Sequence, residues 1–256
     1  MMRVVKIGGR AQADPRLTGI LRAAWDAGRG ELCVVHGGGD EISAMQRALG
    51  READFVGGRR VTSEGDLDLL RMVLSGLVNK RLVNALVAAG LPAVGISGED
   101  DALIGAELID AASLGFAGQP VTVRTDLLRT LLNAGYLPMI SPVAYNTTSP
   151  TGGPLNVNGD DAAAAIAIAL EAEELLLIAD VEGVLDGEGD VVSSLSIEAA
   201  RGLAASGVAA GGMAAKLEAA EAALTAGIAR VRICDLAGLG DAERGTIITQ
   251  SQSVVL

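Results

Sequence analysis

Within its first fifty residues the chain twice runs from a short apolar stretch through glycine into a helix-like segment, and this repeat constrains the fold more than any other feature. Arg3 to Ile7 is β-branched and closes on Gly8-Gly9, and Leu32 to Val35 leads through His36 into Gly37, Gly38 and Gly39. Each reads as a buried strand ending in a tight turn. Asp14 and Pro15 supply an N-cap and a first-turn proline for a helix to about Gly28, and Asp40 to Leu49 reads as a second helix. Strand–glycine–helix units in succession require parallel strands joined by right-handed crossovers. The same rhythm continues. It predicts a long helix from about Asp66 to Ala89, helices over Leu127 to Ala134, Ile197 to Ser206 and Met213 to Ala226, and an alanine-rich helix after Asn156 to Asp161. Strands are expected at Ala93 to Ile96, Leu137 to Val143, Glu174 to Ala179, Arg230 to Cys234 and Thr246 to Thr249. Leu103 to Ile109 and Pro120 to Val123 read as a hairpin at the sheet edge. The fold class is α/β. A single domain over 1–256 is expected, with lobes of about 1–150 and 151–256 meeting at the turn-rich Ser149 to Pro154.

Composition removes several function classes. At 256 residues, half of them hydrophobic, the chain can bury a substantial core. A formal net charge of -12 argues against nucleic acid or an anionic membrane as partner, and any positive charge in a site must be local. Cys33 and Cys234 lie in apolar strand-like runs and make no disulfide framework, as in a reducing compartment. The longest apolar region, Ala162 to Ile178, is broken by Glu171, Glu173 and Glu174 and cannot span a bilayer. No signal peptide precedes the first strand, so a soluble cytoplasmic protein is expected.

Glycine admits close approach of backbone amides to phosphate, a helix N-terminus favours negative charge, and lysine adds a mobile positive one. Lys6 interrupts a run that otherwise reads as a central strand, where a lysine calls for an anion. Lys216 follows Gly211-Gly212-Met213 at the head of a helix, where acidic residues are favoured. Asn156, Asn158, Asp160 and Asp161 cluster before the alanine-rich helix, and an N-cap accounts for only one of them. Arg60, beside a glycine pair, has the fork for bidentate capture of a carboxylate. His36 is read as orienting the glycine turn through a hydrogen bond. No P-loop or dinucleotide fingerprint is present, and with a single histidine there is no zinc spacing and no Ser-His-Asp triad. Handling of a polyphosphate is the reading these residues share.

Lys6-Ile7-Gly8-Gly9, His36-Gly37-Gly38-Gly39, Gly58-Arg59-Arg60-Val61-Thr62, Val78-Asn79-Lys80, Asn156-Val157-Asn158-Gly159-Asp160, Asp180-Val181-Glu182-Gly183-Val184-Leu185 and Gly211-Gly212-Met213-Ala214-Ala215-Lys216 occur in this order. In them the chain, from Val4 to about Ile248, resembles the amino acid kinase family, and most closely its branch that phosphorylates N-acetyl-L-glutamate. The resemblance implies a three-layer αβα sandwich with a mainly parallel central sheet, and transfer of the ATP γ-phosphoryl group to a side-chain carboxylate, in arginine biosynthesis. It implies that Lys6 and Lys216 stabilise the transferring group and that Asp160 holds both lysines. Gly8, Gly9 and Gly37 to Gly39 would offer amides to the phosphate and the attacking carboxylate. Arg60 and Asn156 would bind the amino acid. Asp180, Gly183, Val184, Leu185, Gly211 and Met213 would border the nucleotide. Mg²⁺ is expected on the ATP and not in a protein-built metal site.

The pattern departs after Gly95-Ile96-Ser97-Gly98, where Glu99, Asp100 and Asp101 replace an expected lysine, aspartate and glycine. That bears on the acyl group of the substrate. The first strand begins at once, so the resemblance implies neither arginine inhibition nor the hexamer that accompanies it. A homodimer is expected instead, because Leu67, Leu70, Val73, Leu74, Leu77, Val78, Leu82 and Leu86 exceed what one core face requires. Two other readings make different demands. A kinase of carrier-linked aminoadipate or glutamate would show a basic mouth and a longer insert at Phe55 to Thr62. A non-catalytic sensor would have lost Lys6, Lys216 or Asp160.

Overall fold

Side-chain alternation along the central strands divides the molecule into two cores. In the computed structural model, which describes residues 1–28 and 30–250, Val4, Cys33, Val35, Leu175 and Leu177 pack on one side of the sheet. Val5, Ile7, Leu32, Val34, Leu176 and Ile178 pack on the other. Both faces are apolar because both are covered by helices, as a parallel sheet requires.

The chain begins β1 (Arg3–Ile7), a 3₁₀ turn (Gly9–Ala13), α1 (Leu17–Ala27), β2 (Leu32–His36), α2 (Gly39–Ala48). A small hairpin, β3 (Phe55–Val56) and β4 (Arg59–Arg60), stands apart from the main sheet. A long helical element follows in three parts: α3 (Glu64–Leu70), a π-helical stretch (Arg71–Val78) and α4 (Asn79–Ala88). Next come β5 (Ala93–Gly98), β6 (Ile104–Leu108), α5 (Ala111–Leu114), β7 (Ala117–Val123), α6 (Asp126–Asn133), β8 (Leu137–Asn146), β9 (Leu155–Val157) and α7 (Gly159–Ala169). The chain closes with β10 (Glu174–Ile178), β11 (Ser194–Ser196), α8 (Ile197–Ala205), α9 (Gly212–Thr225), β12 (Arg230–Cys234) and β13 (Thr246–Thr249).

The main sheet runs β11-β13-β12-β10-β1-β2-β8-β6-β7-β9, with β5 added alongside β8. Pairing is parallel except at β12–β13, β6–β7 and β8–β9. The first core lies against α6, α7, α8 and α9, the second against α1, α2 and the long helix. The expected three-layer αβα sandwich and the β6–β7 hairpin are both present. Among the described residues no helix is long and apolar enough to cross a membrane.

Three expectations shift. Helix α1 starts at Leu17 and not at Asp14, because the Asp14 carboxylate accepts the Arg16 N–H at 2.8 Å in a local turn. The hairpin β3–β4 was not foreseen, since two-residue strands carry no readable period. Of the eight apolar residues singled out on the long helix, all but Leu77 are buried within the chain itself. Leu77 (51% exposed) and Met72 (64%) are what that helix leaves uncovered on the π-helical stretch.

Candidate active site at the carboxyl ends of the strands

Strand β1 has β2 on one side and β10 on the other, so the chain winds away from it in both directions. In an open α/β sheet such a switch point leaves a crevice beyond the carboxyl ends of the strands. A cleft of about 420 Å³ occupies it, lined by Lys6, the glycines 8, 9 and 37–39, Arg60, Asn156, Asp160, Asp180, Met213 and Lys216, among others.

Lys6 shares the sheet face of Val4, two residues before it, and so points towards α7 and α9. Asp160 lies in the first turn of α7, where Asn158 is the N-cap and its side chain accepts the Asp160 N–H at 2.8 Å. The foreseen cap is therefore Asn158, which frees Asp160 for another task. Its carboxylate lies between two ammoniums: Lys6 Nζ is 3.2 Å from Oδ1 and donates to Oδ2 at 3.3 Å, and Lys216 Nζ donates to the same two oxygens at 3.2 and 3.3 Å. All three residues are at most 7% exposed. Lys216 is the fifth residue of α9, one residue further in than a helix starting at Met213 would place it. Burial pushes the Asp160 carboxyl up, but Lys6 and Lys216 together outweigh it and hold its pKa below the ordinary value. Burial and then repulsion from Lys6 lower the pKa of Lys216. Two cations and one anion leave a net positive charge in the wall of a strongly acidic protein. That is a seat for a further anion.

Glycines keep the lysine in place. A β-carbon on Gly8 would stand 2.5 Å from Lys6 Nζ, and one on Gly159 would stand 3.2 Å from Lys6 Cε. Gly9 has φ +52, and its Cα side is closed by the Asp180 carboxylate, which also accepts the Arg10 N–H at 3.1 Å.

In β4 adjacent side chains face opposite ways. Arg60 turns inward and donates to Gln46 Oε1 at 2.6 Å, Ser43 Oγ at 2.8 Å and Gly39 O at 3.0 Å, with Phe55 over its guanidinium at 4.7 Å. These acceptors are all neutral. Arg59 turns towards the helices, meeting Asp161 Oδ2 at 2.6 Å and Glu218 Oε2 at 3.7 Å. Asn156, in β9, donates from Nδ2 to Thr62 Oγ1 at 2.9 Å and lines the same cleft. His36 lies on the opposite sheet face from Lys6 and donates from Nδ1 to Gly37 O at 2.8 Å, so the expected brace of the glycine turn is present.

The structure thus brings Lys6, Gly8, Gly9, Gly37 to Gly39, Arg60, Asn156, Asp160, Asp180, Met213 and Lys216 to one cleft. Gly183, Val184, Leu185 and Gly211 lie outside its lining. Beyond Asp180 the chain is drawn towards β13: the Val184 N–H donates to Thr246 Oγ1 at 2.8 Å, Gly183 packs on Thr246, and Leu185 bridges to Val191. Gly211 is set back at the entry to α9, beside Gly58 of the hairpin. Gly159 and Phe55 were missed by sequence reasoning. Gly159 carried a signal, a glycine directly before the acidic helix start. Neither cysteine enters the chemistry, since both are buried and burial raises both thiols.

Residues 1–235 match the profile of the Amino acid kinase family. The chain belongs to the amino acid kinase family. Among relatives, the acetylglutamate kinase of Cereibacter sphaeroides is 48% identical over 202 residues, 79% of this chain and 68% of that protein. The acetylglutamate kinase of Chloroflexus aurantiacus is 43% identical over 251 residues, 97% of both chains. Among solved structures of this amino acid kinase fold, smu.665 from Streptococcus mutans UA159 superposes with a TM-score of 0.87 at 29% identity, over 98% of this chain and 99% of that one. Giardia carbamate kinase (TM-score 0.70, 16% identity, 98% and 99% covered) shares the fold.

Proposed function

We propose that this amino acid kinase transfers the γ-phosphoryl group of ATP to the side-chain carboxylate of N-acetyl-L-glutamate, in arginine biosynthesis. A carboxylate oxygen attacks the γ-phosphorus, the bond to the β,γ-bridging oxygen breaks, and an acyl phosphate and ADP leave. The attacking carboxylate is already ionised at neutral pH, so the step needs no general base. That suits a chain whose one histidine is buried behind the turn and does not line the cleft. Phosphoryl transfer rests on alignment and charge neutralisation.

One observation carries this reading: the buried Lys6–Asp160–Lys216 cluster, set beside two glycine turns. Lys6 and Lys216 neutralise the transferring group, and Asp160 keeps two like charges in one place. Arg60, held only by neutral acceptors, keeps its positive charge for the amino acid carboxylate. Asn156 lines the same wall. Gly8, Gly9, Asp180 and Met213 border the nucleotide. Magnesium enters only as the counter-ion of the ATP phosphates; among the described residues no group of three His, Cys, Asp or Glu is placed to cage a metal, and no step is assigned to it. The two lobes close on their substrates about the 149–154 segment, and the enzyme works as a homodimer paired through the surface around Met72 and Leu77.

The test is ADP release over a panel of N-acetyl, N-succinyl and free amino acids, with hydroxylamine trapping of the acyl phosphate. N-acetyl-L-glutamate should give the highest kcat/KM, and Lys6→Met should lower kcat by on the order of 10². Preference for another acceptor overturns the substrate, and no trapped acyl phosphate overturns the chemistry.

A further inference from the structure

The glycine turn after β2 is held from behind by three polar residues to which the phosphoryl-transfer step gives no task. His36 ends β2 and is 0% exposed. Its Nε2 lies 3.0 Å from Asn79 Nδ2, which also donates to Met139 O at 2.9 Å and faces Ile96 O at 3.4 Å. Carbonyl oxygens only accept, so that end of the Asn79 amide is the NH₂ group, and Nε2 of His36 must accept from it. The ring proton is therefore on Nδ1, which donates to Gly37 O. Lys80 Nζ donates to Asn79 Oδ1 at 3.0 Å and to Gly95 O at 2.9 Å, which keeps the amide from turning over.

Gly37 O and the Gly38 N–H belong to one trans peptide plane and point in opposite directions. The ring grips the carbonyl from the buried side, while the glycines line the cleft. The Gly38 N–H is thereby directed to the cleft, and no acceptor for it occurs among the described residues. A β-carbon at 38 would crowd the long helix, standing 2.7 Å from Leu74 Cδ2 and 3.3 Å from Val78 Cγ2. Leu74 and Val78 belong to the π-helical stretch, which ends directly before Asn79. One segment thus supports the turn and starts the relay behind it. Short π-helical segments inside α-helices recur at functional sites.

We propose that His36 is a positioning residue for phosphoryl transfer, fixed by Asn79 and Lys80 as the Nδ1–H tautomer so that the turn presents the Gly38 amide to the γ-phosphoryl group. The proposal rests on the reading of the chain as an ATP-dependent carboxylate kinase.

His36 is the chain's single histidine, so ¹⁵N-histidine labelling of the intact protein gives one ring to read. The expected spectrum shows a protonated Nδ1 and an unprotonated Nε2 at neutral pH. A protonated Nε2 overturns the proposal whatever the activity. Kinetics supply the second arm. In His36→Asn the side-chain amide takes the place of Nδ1 and keeps the bond to Gly37, so kcat should stay within about threefold. In His36→Gln the amide takes the place of Nε2, and in His36→Leu both bonds go. Both should lose roughly tenfold in kcat with the KM for ATP moved less than about threefold, as for a lost transition-state donor. Asn falling as far as Leu, or Leu losing nothing, overturns it. Should the core variants fail to fold, Lys80→Met changes an exposed residue and loosens the same amide. It should raise the Nε2–H fraction and lower kcat together, and a tautomer change at unchanged kcat overturns the proposal. No turnover in the wild type with a protonated Nδ1 marks failure of the kinase reading; turnover with the wrong tautomer marks failure of this one.

Discussion

At the scale of single residues, the decisive quantity is how much positive charge the cleft wall holds at a given pH. Lys216 is lowered by burial and by Lys6, and Asp160 works against both. Asp160→Asn removes the only anion of the cluster, so one ammonium loses its proton at lower pH. The alkaline limb of kcat against pH should move to lower pH, with kcat at neutrality reduced by on the order of 10². A limb that stays in place contradicts the electrostatic role of Asp160. His36 contributes to the acid side of stability. Burial lowers its pKa to about 4 from an ordinary value of 6.5; nearby Glu41 opposes this, while Lys80 and Arg81 add to it. Below pH 6.5 the unfolded chain takes up a proton that the folded chain refuses until about pH 4. Its contribution is therefore intact above pH 6.5 and lost as the pH falls, reaching about 3 kcal/mol near pH 4. Urea unfolding of the wild type and His36→Asn at about pH 7, 5.5 and 4.5 measures it; parallel pH dependences in the two proteins would exclude it.

At the scale of elements, the turn after β1 separates geometry from stability in one substitution. Gly8 has φ −138 and ψ 177, an extended backbone that alanine adopts without strain. The only obstacle to its β-carbon is the ammonium end of Lys6. Gly8→Ala should therefore lower kcat by about 10², the cost of displacing a catalytic group by an ångström. Its thermal midpoint should stay within about 4 °C of wild type. A large fall in the midpoint would mean that Gly8 serves the fold and not the lysine. Lys6 was legible in sequence because a charge at the end of an apolar β-branched run has few explanations. Asp160 was legible because one cap cannot use four polar residues. Gly183, Val184 and Leu185 were expected beside the nucleotide from motif order, which gives neighbourhood along the chain; their direction is set by Thr246, more than sixty residues on. The same limit hid the task of Asn79, which needs Met139 and His36 beside it.

For the whole molecule, the proposed pairing of two chains can be tested at the surface the long helix leaves open. Leu77→Glu puts a charge on that surface without touching the core. Light scattering at micromolar concentration should report a dimer for the wild type and a monomer for Leu77→Glu. A wild-type monomer refutes the pairing, and an unchanged dimer moves it to another face. The strands and most helices followed from hydrophobic period and glycine turns, because those are local; the sheet order, which sets β10 beside β1, was not among the expectations. The count of exposed apolar residues did not follow either, because seven of eight on the long helix find cover inside their own chain. The pairing of β1 with β10 carries a cost during synthesis. When β1 leaves the ribosome, the edge that will meet Glu174 to Leu177 has no partner, and Lys6 has no carboxylate until Asp160 arrives 154 residues later. Open strand edges invite wrong partners, and contacts distant in sequence form late. A nascent chain stalled anywhere in its first half therefore carries a sticky, catalytically empty sheet, and kinase activity can arise only once almost the entire chain has been made.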